Sequence, residues 1–223
     1  YKMHGKHWDI EMKDWTHHDI KLGYVPKPLQ QPHPPIAMSA MSPSSSSLTF
    51  AGQRGYIPVS ANFIAPWSVK THWPAYCAGA DSAGLTADPN EWHVARSIFV
   101  ADTDAEAEEF VKTSGGAYDY YYDYLFKIFD RSGFKGPFVT NQGDDPESLT
   151  PTAVRDACVI YGSPETVAKK ITDFKNSVGD FGTLLYAAHD WTDKAAMKKS
   201  MRLMAEHVMP IINKDYSGLA SAG

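Results

Sequence analysis

Cysteine is almost absent from this sequence: Cys77 and Cys158 are its whole complement in 223 residues, far apart and in no CxxC pair. That excludes a disulfide framework and a cysteine-rich zinc finger, and it fits a reducing cytoplasm. Long hydrophobic runs are missing too. No stretch approaches the roughly 18 to 20 apolar residues that cross a bilayer, and the opening YKMHGKHWDI has no signal-peptide pattern, so neither a membrane span nor export is expected. Runs of basic residues are lacking, and a net charge of -5 gives no electrostatic reason to bind nucleic acid or an anionic membrane. Neither GxGxxG nor GxxxxGK[ST] occurs, which argues against a dinucleotide fold and a P-loop. Small molecules and other protein subunits are the partners left.

A content of 43% hydrophobic and 13% aromatic residues is ample for a packed core, and we expect one domain over residues 1–223. Residues 1–34, rich in Trp, His, Lys and Pro without a period, read as a surface connection. The opening lacks a methionine and starts inside an aromatic, charged pattern, so further sequence is expected upstream. His4, His7, His17 and His18 are dense but have neither HExxH nor finger spacing, and they read as solvated loop histidines rather than a metal site.

Four short apolar segments read as buried strands: 36–42, 56–61, 94–101 and 181–189. Helical patterns separate them. One covers 48–54 with Gly55 as its stop, and another covers 67–80. A third starts after an Asp/Thr cap at 102–103 and continues, interrupted at Gly115 and Gly116, through the aromatic tract to Phe129. Residues 130–150, broken by Gly and Pro, read as a lid loop. Ser163 then caps a helix carrying Val167, Ile171, Phe174 and Val178 on one face. Met197, Met201, Met204, Val208 and Ile211 form the apolar stripe of the last helix. Successive βα units imply parallel strands, in either an open doubly wound sheet or part of a (β/α)8 barrel.

The strand ending at Ser42 delivers Ser44, Ser45, Ser46 and Ser47 to the start of a helix. Unpaired helix amides, the helix dipole and short hydroxyls together make an anion site, for which a phosphorylated cofactor is the natural guest. The same residues also suit an ordinary loop or cap.

Longer segments carry a resemblance. GSPETVAKKITDF (162–174), FGTLLYAAHDW (181–191) and KKSMRLMAEHVMPII (198–212) resemble the C-terminal end of bacterial luciferase-like flavin monooxygenases. GKHWDI (5–10), PKPLQQPHPPIAMSAMSPSS (26–45), AGQRG (51–55) and RSIFVADTDAEAEEF (96–110) are similar to that family in the same order, closest to its limonene-monooxygenase-like branch.

The resemblance implies a (β/α)8 barrel in which the four strands are the fifth to eighth, with the N-terminal half absent. It therefore implies that the family's catalytic histidine and cysteine region has no counterpart here, and that Cys77 and Cys158 are packing residues. It places FMN phosphate at Ser44 and Ser47, with Ser45 and Ser46 beside them, and the flavin ring near Met41, Ser42 and Ser60. Asn62, Trp67, His189, Asp190 and Trp191 would border the substrate, Trp73 and His72 would pack nearby, and residues 137–150 would match the family's active-site loop.

The implied reaction inserts one oxygen atom from O2 into a small apolar molecule using reduced flavin from a flavin reductase. A homodimer is a family arrangement, built there on helices of the N-terminal half. Two alternatives stay open at this point: hydride transfer with a deazaflavin, and a non-catalytic flavin-binding fragment.

Overall fold

The computed structural model describes residues 2–11, 19, 20 and 28–216. The chain divides into two compact units, Tyr1–Pro35 and Ile36–Gly223. Within the first, β1 (Lys2–His4) pairs antiparallel with β2 (Asp9–Glu11), Lys2 opposite Glu11 and Met3 opposite Ile10. Part of the segment expected as a plain connection is therefore a hairpin. His4 Nδ1 lies 3.1 Å from Asp9 Oδ1, while His17 and His18 lie outside the described residues.

The second unit is an α/β structure around one parallel sheet. Its strands are β3 (Ala37–Ala40), β4 (Ile57–Ser60), β5 (His93–Val100), β6 (Val159–Gly162) and β7 (Thr183–Ala187). Among the described residues of this unit five strands stand where four were expected. The extra one, β6, has only the four residues VIYG and follows a helix with no linker, so nothing in its pattern separates it from that helix.

Strand β5 is the hub. Its first half pairs with β4 (Val59 with His93, Ser60 with Val94) and with β7 (His93 with Thr183 through Ser97 with Ala187). Its second half pairs with β6, from Ser97 with Val159 to Val100 with Gly162. The sequence HVARSIFV suits this place, because β-branched and aromatic residues pack well on a pleat buried on both faces.

Alternation along β5 separates two cores. Val94, Ile98 and Val100 join Val69 and the apolar face of α7 (Pro164–Val178): Val167, Ile171, Phe174 and Val178. Phe99 instead joins Tyr118, Tyr122 and Phe138. The Arg96 side chain is fully buried in the first core. Its Nη1 donates to the Ile64 carbonyl at 2.6 Å and its guanidinium lies 4.1 Å over the Phe174 ring, leaving Nε and Nη2 without partners.

Helix α1 (Ser46–Arg54) ends where expected, on Gly55 in the left-handed region at φ 64°. The predicted helix over 67–80 is two helices, α2 (Pro66–Lys70) and α3 (His72–Ser82). At their junction, Thr71 Oγ1 donates to the Ser68 carbonyl at 2.7 Å and accepts the Ser44 amide at 2.7 Å, so a side chain occupies the place of the next helical bond. The segment after β5 is likewise two helices, α4 (Asp104–Lys112), closed by a Thr103–Glu106 capping box, and α5 (Ala117–Arg131). After α6 (Pro151–Cys158) and β6, Ser163 caps α7 as expected.

The final stripe is not continuous. Helix α8 (Lys194–Leu203) passes through a π-helical turn, Met204–Val208, into α9 (Met209–Tyr216). Met197, Met204 and Val208 are buried while Met201, already off the buried face of α8 before the wider turn, and Ile211, beyond it, are 46% and 40% exposed. Ser200 occupies the sheet-facing position instead, accepting the Val100 amide at 2.8 Å.

Helices α1 and α3 touch backbone to backbone. A Cβ on Gly52 would drive into the Tyr76 carbonyl oxygen, and one on Gly79 into the Thr49 carbonyl oxygen. Gly52→Ala or Gly79→Ala is expected to destabilise the fold by about 2–3 kcal/mol, because backbone cannot yield as a side-chain tip can. Urea unfolding midpoints measure this, and an unchanged midpoint would contradict the contact.

Candidate active site at the strand ends

Parallel strands leave their C-terminal ends along one edge of the sheet, so the residues following β3, β4 and β7 share a rim. The serine turn follows β3, Asn62 follows β4, and His189 to Trp191 follow β7. Two clefts open among these residues.

The first holds the start of α1. Ser45 is the N-cap by position, yet its side chain makes no capping bond, and the N–H groups of Ser46 and Ser47 donate to no carbonyl among the described residues. No hydroxyl of Ser44 to Ser47 bonds another described group, and Ser44 sits at φ 48°, its N–H donating to Thr71 Oγ1. Ser44, Trp67, Lys70, Thr71 and Gln142 line a cleft of about 790 Å³. The Ser44 hydroxyl and the Lys70 side chain share this cleft, and the unpaired Ser46 and Ser47 amides follow Ser44 directly at the head of α1; amides, hydroxyls and a cation are the donor types an anion requires.

Beneath this cleft lies a closed chain of hydrogen bonds. Trp92 Nε1 donates to Ser60 Oγ at 3.0 Å, Ser60 Oγ meets His72 Nδ1 at 2.9 Å, and His72 Nε2 donates to the Ser42 carbonyl at 3.0 Å. A carbonyl can only accept, so His72 carries its hydrogen on Nε2 and Ser60 donates to Nδ1. Ser60 is 0% exposed, and its hydroxyl already accepts from Trp92 and donates to His72. Ser42 contributes through its carbonyl to the same lock. Trp73, stacked between Tyr76 and Trp92, packs as expected, and Met41 stays exposed on the rim.

The second cleft, of about 390 Å³, is lined by Tyr120, Tyr121, Tyr124, Ala188, His189 and Asp190. Behind it Ser97 Oγ gathers three partners: Asn62 Nδ2 at 2.9 Å, the Tyr122 hydroxyl at 3.0 Å and His189 Nε2 at 2.9 Å. The Tyr121 hydroxyl donates to Asn62 Oδ1 at 3.2 Å, and its ring lies against His189 with centroids 4.1 Å apart. Burial pushes the His189 imidazole down to about 4, and the His72 imidazole likewise to about 4, so both rings are neutral near pH 7.

The structure thus joins Asn62 to His189 through Ser97 and places Asp190 at the mouth of their cleft. It puts Trp67 in the serine cleft, where its Nε1 donates to the Val139 carbonyl at 2.9 Å, and leaves Trp191 largely exposed. Residues 130–150 are not structureless: 3-10 turns form at Gly136–Phe138 and Pro146–Ser148. Phe138 is buried among Phe63, Phe126 and Phe129, and Lys135 bridges Asp130 at 2.9 Å and Glu147 at 2.7 Å. Sequence reasoning missed Ser97, Tyr121, Tyr122 and Lys70. The polar pair Arg96–Ser97 inside an apolar strand and the run YDYYYDY were the signals available for the first three.

Comparison with known proteins supplies relatives. The family of luciferase-like monooxygenases matches residues 4–180. The 3,6-diketocamphane 1,6-monooxygenase of Pseudomonas putida is 35% identical over 181 residues, covering 80% of this chain and 47% of that protein. The 2,5-diketocamphane 1,2-monooxygenase 2 of the same organism is 33% identical over 178 residues, covering 78% and 48%. Among solved structures, the oxygenating constituent of 3,6-diketocamphane monooxygenase from the CAM plasmid of Pseudomonas putida, a type II Baeyer–Villiger monooxygenase in complex with FMN, matches with 31% identity and a TM-score of 0.72. That match covers 95% of this chain and 58% of the other. The chain spans about half the length of the curated relatives it matches.

The two neutral histidines set a pH dependence. In the unfolded chain each takes a proton near pH 6.5, while in the folded protein each resists until about 4. Their contribution to stability is complete above pH 6.5, falls as pH drops from 6.5 towards 4, and changes no further below that. Histidine ring NMR should show both titrating near 4, and titration of both near 6.5 in the folded protein would refute their burial.

Proposed function

Because this chain belongs to the luciferase-like monooxygenase family, we propose that its parallel strands are part of a (β/α)8 barrel and that the rim binds FMN for oxygen insertion into a small apolar organic molecule. The serine turn at the head of α1 carries this reading: amides and hydroxyls without partners, beside Lys70, on the same sheet edge as the aromatic cleft. The FMN complex of the similar diketocamphane monooxygenase supports it.

The residues present fit a phosphate monoester. Ser46 and Ser47 amides, the Ser44, Ser45 and Ser47 hydroxyls and the Lys70 ammonium would hold its oxygens, two negative charges meeting a helix N-terminus and a cation. Met41 would border the flavin ring. Reduced flavin, when bound, supplies the electrons for reaction with O2, and a flavin reductase is the proposed source of that reduced cofactor.

The chain's own residues do the rest. Trp67, tied to Val139, and Gln142 bring the 130–150 loop beside the serine cleft, where it would keep water from the cofactor. Tyr120, Tyr121 and Tyr124 offer aromatic walls to an apolar substrate, with Asn62, His189, Asp190 and Trp191 on its polar side.

The test is discrimination between FMN and riboflavin, which differ by the phosphate. By flavin fluorescence quenching, FMN should bind at least about tenfold more tightly than riboflavin, and Ser45→Ala/Ser47→Ala or Lys70→Gln should shrink that ratio towards one. Equal affinities in the unmutated chain would sink the assignment of the serine turn.

A further inference from the structure

Each hydroxyl hydrogen around Ser97 has one place to go. The buried Tyr122 phenol has Ser97 Oγ as its sole hydrogen-bond partner among the described residues, so Tyr122 donates to it. Asn62 Nδ2 donates to the same oxygen. A hydroxyl has two lone pairs and one hydrogen, so Ser97 gives its own hydrogen to the neighbour that remains, His189 Nε2. Nε2 is then bare, and the ring hydrogen sits on Nδ1.

Turning the Asn62 amide over would reverse this result, with Ser97 donating to Asn62 Oδ1 and Nε2 carrying the hydrogen. It would also take the acceptor from Tyr121, whose hydroxyl donates to Oδ1, and strand that hydrogen. The orientation with Nδ2 towards Ser97 satisfies the whole relay, Tyr121 to Asn62 to Ser97 to His189.

Nδ1 makes no hydrogen bond among the described residues, yet it is not sealed in: the buried polar atoms without partners are Ser68 Oγ, Arg96 Nε and Arg96 Nη2. His189 lines the tyrosine cleft, and its ring is held by Tyr121 on one side and edge-on by Tyr118 with centroids 4.6 Å apart. An uncharged N–H donor of fixed direction therefore stands in an aromatic cleft with no protein acceptor. The neighbouring Asp190 carboxylate disfavours an anion there, which leaves a neutral oxygen as the matching ligand atom.

We propose that His189 Nδ1–H seats a carbonyl oxygen of the substrate, so that His189 selects a ketone over the hydrocarbon of the same shape. The inference rests on the function proposed above and names the substrate class of that site. The relay behind the ring fixes which nitrogen donates, and Ser97 acts through His189 as a positioning residue.

Two measurements on the full chain test it, neither needing flavin or turnover. In 15N-histidine NMR, His189 should show a protonated Nδ1 and a bare Nε2, and the Nδ1–H signal should move saturably with camphor, a rigid apolar ketone, and not with its hydrocarbon bornane. A hydrogen on Nε2, or no response to camphor, overturns the proposal without any substitution. Among variants, His189→Asn sets an amide near the Nδ1 position and should keep camphor affinity within about threefold. His189→Gln sets it near Nε2 and should lose about tenfold, with bornane affinity unchanged in both. Equal losses in the two variants, or equal losses for the two probes, would overturn the proposal. FMN binding is read separately at the serine turn, so a chain that binds FMN but fails here refutes this inference alone. One that passes here but does not prefer FMN over riboflavin refutes the flavin reading.

Discussion

Consecutive residues of a strand face opposite ways, and Arg96 and Ser97 turn that geometry into a clamp. From one face of β5, Arg96 Nη1 grips the backbone carbonyl of Ile64 at 2.6 Å and reaches that of Asn62 at 3.5 Å. From the other face, Ser97 Oγ accepts the Asn62 side-chain amide. The loop leaving β4 is thus held by its backbone on one side of the sheet and by its side chain on the other. A buried guanidinium with two idle nitrogens is costly, and the Phe174 face and the Ile64 carbonyl offset that cost only in part.

From that clamp the arrangement of the rim follows. Ser97 ties together side chains from three separate parts of the chain, Asn62 after β4, Tyr122 on α5 and His189 after β7, while the Trp92–Ser60–His72–Ser42 lock braces the serine turn from below. Each network links its side chains by several mutually supporting hydrogen bonds, the condition under which polar groups inside a protein add rigidity. Neutral imidazoles serve in both, one as a structural strut and one with an open nitrogen.

Strands flanked by turn residues were legible without coordinates, as were the Gly55 stop, the Thr103 and Ser163 caps and the apolar face of α7, because each is a local pattern with a local cause. Strand β6 was not, since four residues fused to a helix carry no period of their own. The break at Thr71 and the π turn after Leu203 also escaped. In both, a contact distant in sequence or a change in winding overrides an unbroken helical pattern. At the rim, Asn62 and His189 stood out by their place after strands, while the sequence was silent on the bond between Ser60 and His72: a serine at a strand end looks the same whether it faces a ligand or a buried histidine. Ser97 was missed for the opposite reason: it showed only as a polar residue within an apolar strand, and its meaning comes from three partners far along the chain.

The glycine seat between α1 and α3 reaches further than stability. With Gly52 and Gly79 letting one helix rest on the other without intervening side chains, and His72 of α3 bound to the Ser42 carbonyl, the serine turn is carried on a plate that cannot slide. Variation over evolutionary time therefore has unequal access to the two clefts. Around the serines, change is confined to swapping one side chain for another in place, which under the function proposed above would favour keeping a single kind of cofactor. The tyrosines of α5 face no such restriction, and under the same proposal new substrates would be accommodated there without disturbing what lies beneath.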